Sequence, residues 1–239
     1  MNRQTRKQLK TDKFAQEVNE TVSFLSEHRA ESIRYGLIAL AVAVLVGGYF
    51  LYNRHQATVR EAALAEALRI DEGIIGPADT PTNKAFPNQE AKGKARAKAF
   101  SDLYTKYHGT TEGSIGGIYM AADLADLGKY EAAEKIYKDV VDSAPKVYAT
   151  QAELSLAQIY AAEGKNSDAE KIYRKYIDHP TELISSDAAK LYLADMLTRT
   201  DPKQALSLAQ PLTNSTHAYI SEQALNVTSR VHMSSPTTK

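Results

Sequence analysis

Histidine is the residue type in this sequence best suited to acid–base or metal chemistry. The six histidines lie far apart, at His28, His55, His108, His179, His217 and His232. A helix brings two metal ligands together at a spacing of three or four residues, and no two of these histidines have that spacing. The chain has no cysteine, which excludes thiolate nucleophiles, disulfides and cysteine-bound metals. We therefore expect no metal site and no cofactor.

Acidic residues and a glycine cluster are the remaining candidates for chemistry. Glu131, Glu134 and Asp168 have lysines at helical spacing, which favours exposed ion pairs over acid–base catalysis. Glycines crowd residues 113–117, but no phosphate-binding loop or G-x-S-x-G motif is present. We interpret this cluster as a flexible turn. The sequence therefore indicates a protein that is not an enzyme and has no small-molecule substrate.

The charge balance excludes one class of partner. Lysine and arginine number 29, and aspartate and glutamate number 29. Non-specific binding to nucleic acid needs a basic surface that neutralises phosphates. A chain without net charge lacks that surface as a whole, so we expect no nucleic-acid partner.

An uncharged apolar segment lies near the N-terminus. Residues 35–52, YGLIALAVAVLVGGYFLY, are bracketed by Arg34 and Arg54. As a helix this segment would be about 27 Å long, close to the hydrocarbon thickness of a bilayer. Tyrosines at both ends suit the membrane interfaces. The run is longer than a signal-peptide core and ends in bulky residues, so the pattern predicts an uncleaved transmembrane helix.

Basic residues predict the orientation of this helix. The polar tail, residues 1–34, carries Arg3, Arg6, Lys7, Lys10, Lys13, Arg29 and Arg34. Arg54, Arg60 and Arg69 follow the span, but a long domain crosses a membrane largely regardless of its charge. The short tail should therefore decide, with the N-terminus in the cytoplasm and the remainder of a single-pass protein outside.

Small residues recur on one face of the predicted span. Ala39, Ala43 and Gly47 are four residues apart, a pattern that lets two membrane helices approach closely. The alternative is that alanine and glycine are simply common in membrane helices.

The tail itself has a helical pattern. Phe14, Val18, Val22 and Leu25 fall at helical spacing, which is typical of a short amphipathic helix. The alternative is a charged tail that only orients the anchor.

A proline-rich segment interrupts the helical pattern after the span. Residues 54–70 predict a helix, and residues 71–93 contain Pro77, Pro81 and Pro87, which block helix formation. Loops of this length are usually functional or disordered, and we expect disorder here. Helix returns from Lys94.

One block of sequence occurs twice with few changes. LGKYEAAEKIY, residues 127–137, is nearly repeated as EGKNSDAEKIY, residues 163–173. The offset of 36 residues places Ala133 on Ala169, and further steps reach Ala205 and Ala97. Small residues that recur at a fixed period predict stacked helical hairpins, in which each small residue lies where two helices cross.

This pattern resembles the tetratricopeptide repeat. The resemblance lies in the glycines between helices, the small residues, the aromatic residues and a closing proline: Gly128, Gly164, Ala133, Ala169, Ala205, Tyr137, Tyr173 and Pro145. It implies an all-α fold, in which helical hairpins form a solenoid. We expect a repeat domain at 54–235, with repeats at 114–147, 150–183 and 186–219 and a capping helix at 221–231. The helices at 54–70 and 94–107 would form a broken first copy.

The arrangement as a whole resembles the ancillary SecYEG translocon subunit family of bacterial inner membranes. The stretch KYHGTTEGSIGGIYMAADLADLGKYEAAEKIY, residues 106–137, is similar to that family's entry into its repeat domain. Membership implies a periplasmic repeat domain tethered beside the Sec translocon. Its implied partners are the translocon, periplasmic folding factors and exported clients.

The first helix of each repeat lines the concave groove in tetratricopeptide arrays. Mapping by repeat position gives Ile115, Ile118, Ala122, Ala125, Gln151, Leu154, Gln158, Ala161, Lys190, Ala194 and Leu197. This lining is more apolar than charged and suits an extended or unfolded chain. The alternative is that half of these residues only pack against neighbouring helices.

Two binding roles and one enzymatic role compete. The first is a chaperone-like scaffold at the export machinery. The second is a repeat protein that coordinates cell division or envelope assembly. The third, an enzyme, has no acid, base and nucleophile set to support it.

Overall fold

The computed structural model describes residues 29–77 and 84–234. The tail helix predicted around Phe14 to Leu25 lies outside these residues. The chain divides into two compact units, Met1–Val59 and Arg60–Lys239, which are described separately. The predicted all-α class is confirmed, since helices dominate both described parts of the chain.

The first helix, α1 (Arg29–Asp71), continues through and beyond the predicted span. In the first unit, every residue from 35 to 55 is exposed, although the sequence there is almost entirely apolar. Within the described residues this is the one helix long and apolar enough to cross a membrane. Residues 60–71 of α1 belong to the second unit and begin its helical packing.

A short parallel β pair follows α1 in the segment predicted to be a disordered loop. Strand β1 (Ile74–Ile75) pairs with β2 (Ala85–Phe86). Gly73 permits this approach, because a Cβ there would lie 2.6 Å from the Phe86 ring. The prediction of disorder is therefore wrong for both flanks of the loop.

Helix α2 (Gln89–Lys106) also begins earlier than the predicted Lys94. Its start is capped by Asn88, whose side chain accepts a hydrogen bond from the Ala91 N–H at 2.8 Å.

The second unit continues as helical hairpins. Its remaining helices are α3 (Thr111–Asp126), α4 (Tyr130–Ser143), α5 (Lys146–Ala162), α6 (Asn166–Asp178), α7 (Ser186–Leu197), α8 (Pro202–Ala209) and α9 (Ala218–Ser234), with a 3-10 turn, Gln210–Leu212, after α8. From α2 onward each helix packs on the next. Gly128 and Gly164 close α3 and α5 with φ values of 72° and 77°, a left-handed conformation that glycine adopts without steric cost.

The repeat period has a structural basis in the second helix of each hairpin. Ala133, Ala169 and Ala205 are 0% exposed. Each is followed at four and seven residues by further buried side chains, namely Tyr137 and Val140, Tyr173 and Tyr176, and Ala209 and Leu212. The same buried stripe therefore recurs on α4, on α6 and on α8 with the 3-10 turn that follows it.

The first copy of this stripe is shifted by one residue from the prediction. Ala97 is exposed on α2, so its predicted place at a helix crossing is wrong. The buried residues of α2 are Phe100 and Leu103, which align with Tyr137 and Val140 at an offset of 37. The position equivalent to the buried alanines is therefore Arg96.

At Arg96, ion pairs take the place of the close packing that the equivalent buried alanines make in the later hairpins. Its guanidinium pairs with Asp71 at the end of α1 and with Asp123 on α3. The same group lies 5.3 Å from the Phe100 ring centroid, and Phe100 stacks on Tyr119 with centroids 4.3 Å apart. We call this set the Arg96 clip, and it joins α1, α2 and α3.

The glycine cluster at residues 113–117 lies inside α3 and is not a flexible turn. A Cβ on Gly116 would lie 2.7 Å from Leu103 Cβ and 2.8 Å from the Phe100 carbonyl oxygen. A Cβ on Gly117 would lie 2.7 Å from Val140 Cγ2. These glycines therefore allow α3 to pack closely against α2 and α4.

A larger side chain should destabilise the fold at the buried repeat position, Ala169, but not at the exposed position, Ala97. We expect Ala169→Leu to cost about 1–3 kcal/mol, because the added atoms have no space at a fully buried crossing. Thermal unfolding of a fragment carrying residues 54–239 measures this, at roughly 2–4 °C per kcal/mol. The control Ala97→Leu should stay within about 0.5 kcal/mol of wild type. Equal melting temperatures for the two variants would contradict the assigned stripe.

Candidate protein-binding surface

The sequence-predicted groove residues divide between core and surface. Ile118, Ala194 and Leu197 are buried and therefore contribute to the core, not to a surface. Ala194 packs with Ile220, Ala224 and others because α9 covers the inner face of α7. The remaining predicted positions are partly or fully exposed, namely Ile115, Ala122, Ala125, Gln151, Leu154, Gln158, Ala161 and Lys190.

The first helices of the hairpins form one layer with a gap in it. Backbones pack closely between α3 and α5 and between α7 and α9, but less closely between α5 and α7. The connection before α5 is short, residues 144–145, whereas the connection before α7 is residues 179–185. We attribute the wider separation to this longer connection.

A large cavity of the second unit opens at this gap. It has a volume of about 750 Å³. One wall comes from the end of α5, the following turn and the start of α6, with Ala161, Gly164 and Asn166. The opposite wall comes from the end of α7 and the turn after it, with Met196 and Arg199. This cavity extends the predicted groove at Ala161.

An ion pair separates this cavity from a smaller one. Asp195 on α7 pairs with Arg230 on α9, and both side chains line both cavities. The smaller cavity has a volume of about 120 Å³ and lies between α7 and α9. Tyr192 and Tyr219 line it and are 40% and 66% exposed.

Tyr192, beside the small cavity, is held by stacking and stays neutral. Tyr192 stacks on the buried Tyr173, with centroids 5.9 Å apart and 16° between ring planes. Burial raises the pKa of Tyr192, and the nearby Tyr219 raises it further. Both effects keep the Tyr192 phenol protonated, so it acts as an apolar wall with a hydrogen-bonding tip.

Polar contacts fix the relative position of neighbouring hairpins. Glu134 on α4 pairs with Lys138 at 2.6 Å on its own helix and with Lys165 at 3.3 Å in the next hairpin. The Tyr160 hydroxyl of α5 donates to the same carboxylate at 3.1 Å. The Lys138 hydrogen bond, opposed by burial and aided by Lys165 and Tyr160, lowers the pKa of Glu134.

A tyrosine–aspartate–histidine set is the nearest approach to catalytic chemistry in the described region. The Tyr104 hydroxyl donates to Asp139 at 2.7 Å, and His108 Nε2 lies 2.8 Å from the same oxygen. Burial and Asp139 raise the pKa of Tyr104 to about 12, so its hydroxyl stays a donor. The set is a surface cross-link between α2 and α4. Across residues 29–77 and 84–234, no group of three or more metal-ligating side chains converges.

A second apolar groove lies where residues 60–71 of α1 meet α2. It has a volume of about 370 Å³ and a floor that includes Ala63, Ala67, Ala99 and Leu103. Charges of both signs, among them Glu66 and Lys98, stand at its rim.

Sequence reasoning missed Tyr192, Asp195, Tyr219 and Arg230. The repeat mapping assumed a constant offset, so it could not reveal that α7 stands away from α5 and closer to α9. The long connection before α7, with Pro180 early in it, was the available signal.

The predicted packing face of the anchor is exposed. Ala39, Ala43 and Gly47 lie on α1, and among the described residues of the first unit, 29–59, no other helix covers them. A Cβ built on Gly47 would meet nothing within 4 Å. The face is therefore open to close approach by another helix.

Comparison with known families agrees with this architecture. Residues 27–171 match the tetratricopeptide repeat-like domain family. The match covers more than half of the chain, and the protein therefore belongs to this family. No protein of curated function and no solved structure matches the sequence. The structure shows that hairpin packing continues beyond the matched residues, through α7, α8 and α9.

Domains of this family are protein-binding scaffolds and are generally not enzymes. The chain is therefore a tetratricopeptide repeat-like protein-interaction scaffold, and its first helix is of the kind that anchors proteins in membranes or forms signal sequences.

The lowered pKa of Glu134 predicts a pH-dependent stability. A carboxyl with a depressed folded pKa stabilises the fold above its unfolded pKa, near 4.5, and loses that effect as pH falls through the folded value. We expect Glu134→Gln to lower the free energy of unfolding by about 1 kcal/mol at pH 7, and by much less near pH 3. Melting curves of the fragment at several pH values measure this.

The control Glu131→Gln removes the same charge from an exposed position on α4 and should follow the wild-type curve. A Glu134→Gln difference that persists unchanged to pH 3 would contradict the assigned ion pairs.

Proposed function

We propose that this protein is a single-pass, membrane-anchored scaffold that assists protein export and folding at the Sec translocon of a bacterial inner membrane. The observation that supports it best is the direct succession of an exposed apolar helix and a tetratricopeptide repeat-like unit with open cavities. The helix holds the protein at the membrane, and the repeat unit supplies a surface that binds other proteins.

The apolar helix is better suited to an anchor than to a cleaved signal sequence. Its apolar run ends in Tyr49, Phe50 and Tyr52, which do not form a small-residue cleavage site. The same helix continues to Asp71, and its last turns take part in packing of the second unit through Ala67. Cleavage within the helix would leave that packing element with a free end.

The short basic tail supports an orientation with the N-terminus in the cytoplasm and the repeat unit in the periplasm. The Lys and Arg residues before the span should govern insertion, because a long domain after it crosses a membrane largely regardless of its charge. The absence of cysteine is compatible with an oxidising compartment, since the unit needs no thiol for its packing.

The resemblance to the ancillary translocon subunit family supports a chaperone-like role beside the export channel. An extended chain leaving the channel presents apolar side chains and unpaired backbone groups. The cavity between α5 and α7, with apolar and polar walls, suits such a segment. Partners under this proposal are the translocon, periplasmic folding factors and exported clients.

Topology can be checked with alkaline phosphatase, which is active only in the periplasm. A fusion at the C-terminus should be active and a fusion at residue 30 inactive. The reverse pattern would overturn the orientation and the translocon role together.

The anchor should take part in partner selection. Lipid gives no hydrophobic drive for helix pairing, so docking through Ala43 and Gly47 requires close backbone approach. We expect Ala43→Leu with Gly47→Leu to abolish co-purification with the translocon from mild detergent. Quantitative identification of co-purifying membrane proteins measures this.

A matched control places the same changes away from that face. Ala41→Leu with Gly48→Leu adds equal volume on the other side of the helix and should leave co-purification at the wild-type level. Loss in both variants, or in neither, would show that the small-residue face does not select the partner. Capture of division or envelope-assembly proteins in place of the translocon would favour the alternative function.

A further inference from the structure

The two cavities that share the Asp195–Arg230 ion pair form one composite surface. Each cavity alone is a common feature of a helical array. Their junction is distinctive because a charged pair stands between them and lines both. Both linings mix polar and apolar surface. The smaller cavity, with Leu191 and Val227 in its walls, is called the apolar chamber below, and the larger, with Asn166, Thr198 and Arg199, is called the polar chamber.

The apolar chamber has the size of a single side chain. Its volume is about 120 Å³, and a cavity of about 150 Å³ in another protein holds benzene. Leu191, Val227, Tyr192 and Tyr219 supply apolar walls. A leucine side chain, which is smaller than benzene, fits this space and these walls.

The polar chamber has an excess of positive charge. Arg199 and Arg230 face a single carboxylate, that of Asp195, in a chain with no net charge. Arg199 is exposed and makes no ion pair within the described residues. Asn166 and Thr198 add groups that can hydrogen-bond to a peptide backbone.

Arg230 can exchange its carboxylate partner with little loss of folding stability. Asp195 and Arg230 are 50% and 51% exposed, and a pair so exposed contributes little to stability. An incoming carboxylate could therefore replace Asp195 on Arg230 while also contacting Arg199. Arginine and tyrosine are also among the side chains that are enriched at the energetic hot spots of protein interfaces.

We propose that this composite surface binds an extended peptide segment in which an acidic residue stands beside a leucine-sized apolar residue. The apolar side chain enters the apolar chamber, and the acidic side chain meets Arg199 and Arg230. The small residues Ala161, Ala162 and Gly164 leave room for the peptide backbone in the polar chamber. This inference rests on the proposed scaffold function and adds the chemistry of the client.

Fluorescence anisotropy on the full chain in detergent micelles tests the proposal. The probe is a short fluorescein-labelled peptide amide that alternates aspartate and leucine. Comparison peptides carry asparagine or lysine in place of aspartate, or alanine in place of leucine. The aspartate–leucine peptide should bind at least tenfold more tightly than any of the three, and its affinity should fall as salt is added.

Variants locate the binding on the surface. Arg199→Gln, an exposed change, should weaken binding of the acidic peptide severalfold. Combined Arg199→Gln and Arg230→Gln should bring the aspartate and asparagine peptides within twofold of each other. Arg174→Gln, on the exposed face of α6, removes the same charge elsewhere and should leave binding unchanged. Tyr219→Ala should remove the preference for leucine over alanine but keep the preference for aspartate.

Equal binding of the acidic and lysine peptides, or wild-type affinity in the double arginine variant, would overturn the proposal. That outcome is independent of the anchor experiment. If translocon proteins co-purify but the peptide preference is absent, the scaffold role stands and this site fails. If the preference is present but translocon proteins do not co-purify, the site stands and the export role fails.

Discussion

The second unit depends on one steric constraint, which is the absence of side-chain volume where its packed helices cross. Ala133, Ala169 and Ala205 are fully buried at equivalent places, and Gly116 and Gly117 allow the same closeness between α2, α3 and α4. Close crossing brings Tyr137 and Tyr173 into the core, where their rings fill the space beside the alanines. Protein interiors are packed densely enough that this spacing cannot be relaxed locally. The regular stacking of hairpins follows from it.

Much of this arrangement could be predicted from the sequence because it repeats. The two copies of Ala-Glu-Lys-Ile-Tyr fix the period, and a period fixes which residues must be buried. Prediction failed where the repeat is broken. Ala97 matched the period by chance, while the true equivalent, Arg96, has the opposite chemistry and pairs with residues distant in sequence. No local sequence pattern indicates that Asp71 and Asp123 are the ion-pair partners of Arg96.

The candidate site was harder to predict for a related reason. Groove positions follow from the period only while hairpins stack evenly, and residues 179–185 interrupt that regularity. The resulting separation of α5 from α7 creates the polar chamber, and the closeness of α9 to α7 creates the apolar chamber. Both are properties of helix placement in three dimensions. The residues that line them, such as Tyr192 and Arg230, look like ordinary exposed helix positions in the sequence.

The Arg96 clip also has a mechanical meaning. Residues 60–71 of α1 contact α2 and α3 through the Ala67 cluster, the clip and the Arg60–Glu112 pair at 3.2 Å. A pull along α1 from its N-terminal side is passed to the repeat helices through these contacts. The clip is therefore a mechanical joint, at the place where the repeat exchanges a buried alanine for a charged cross-link.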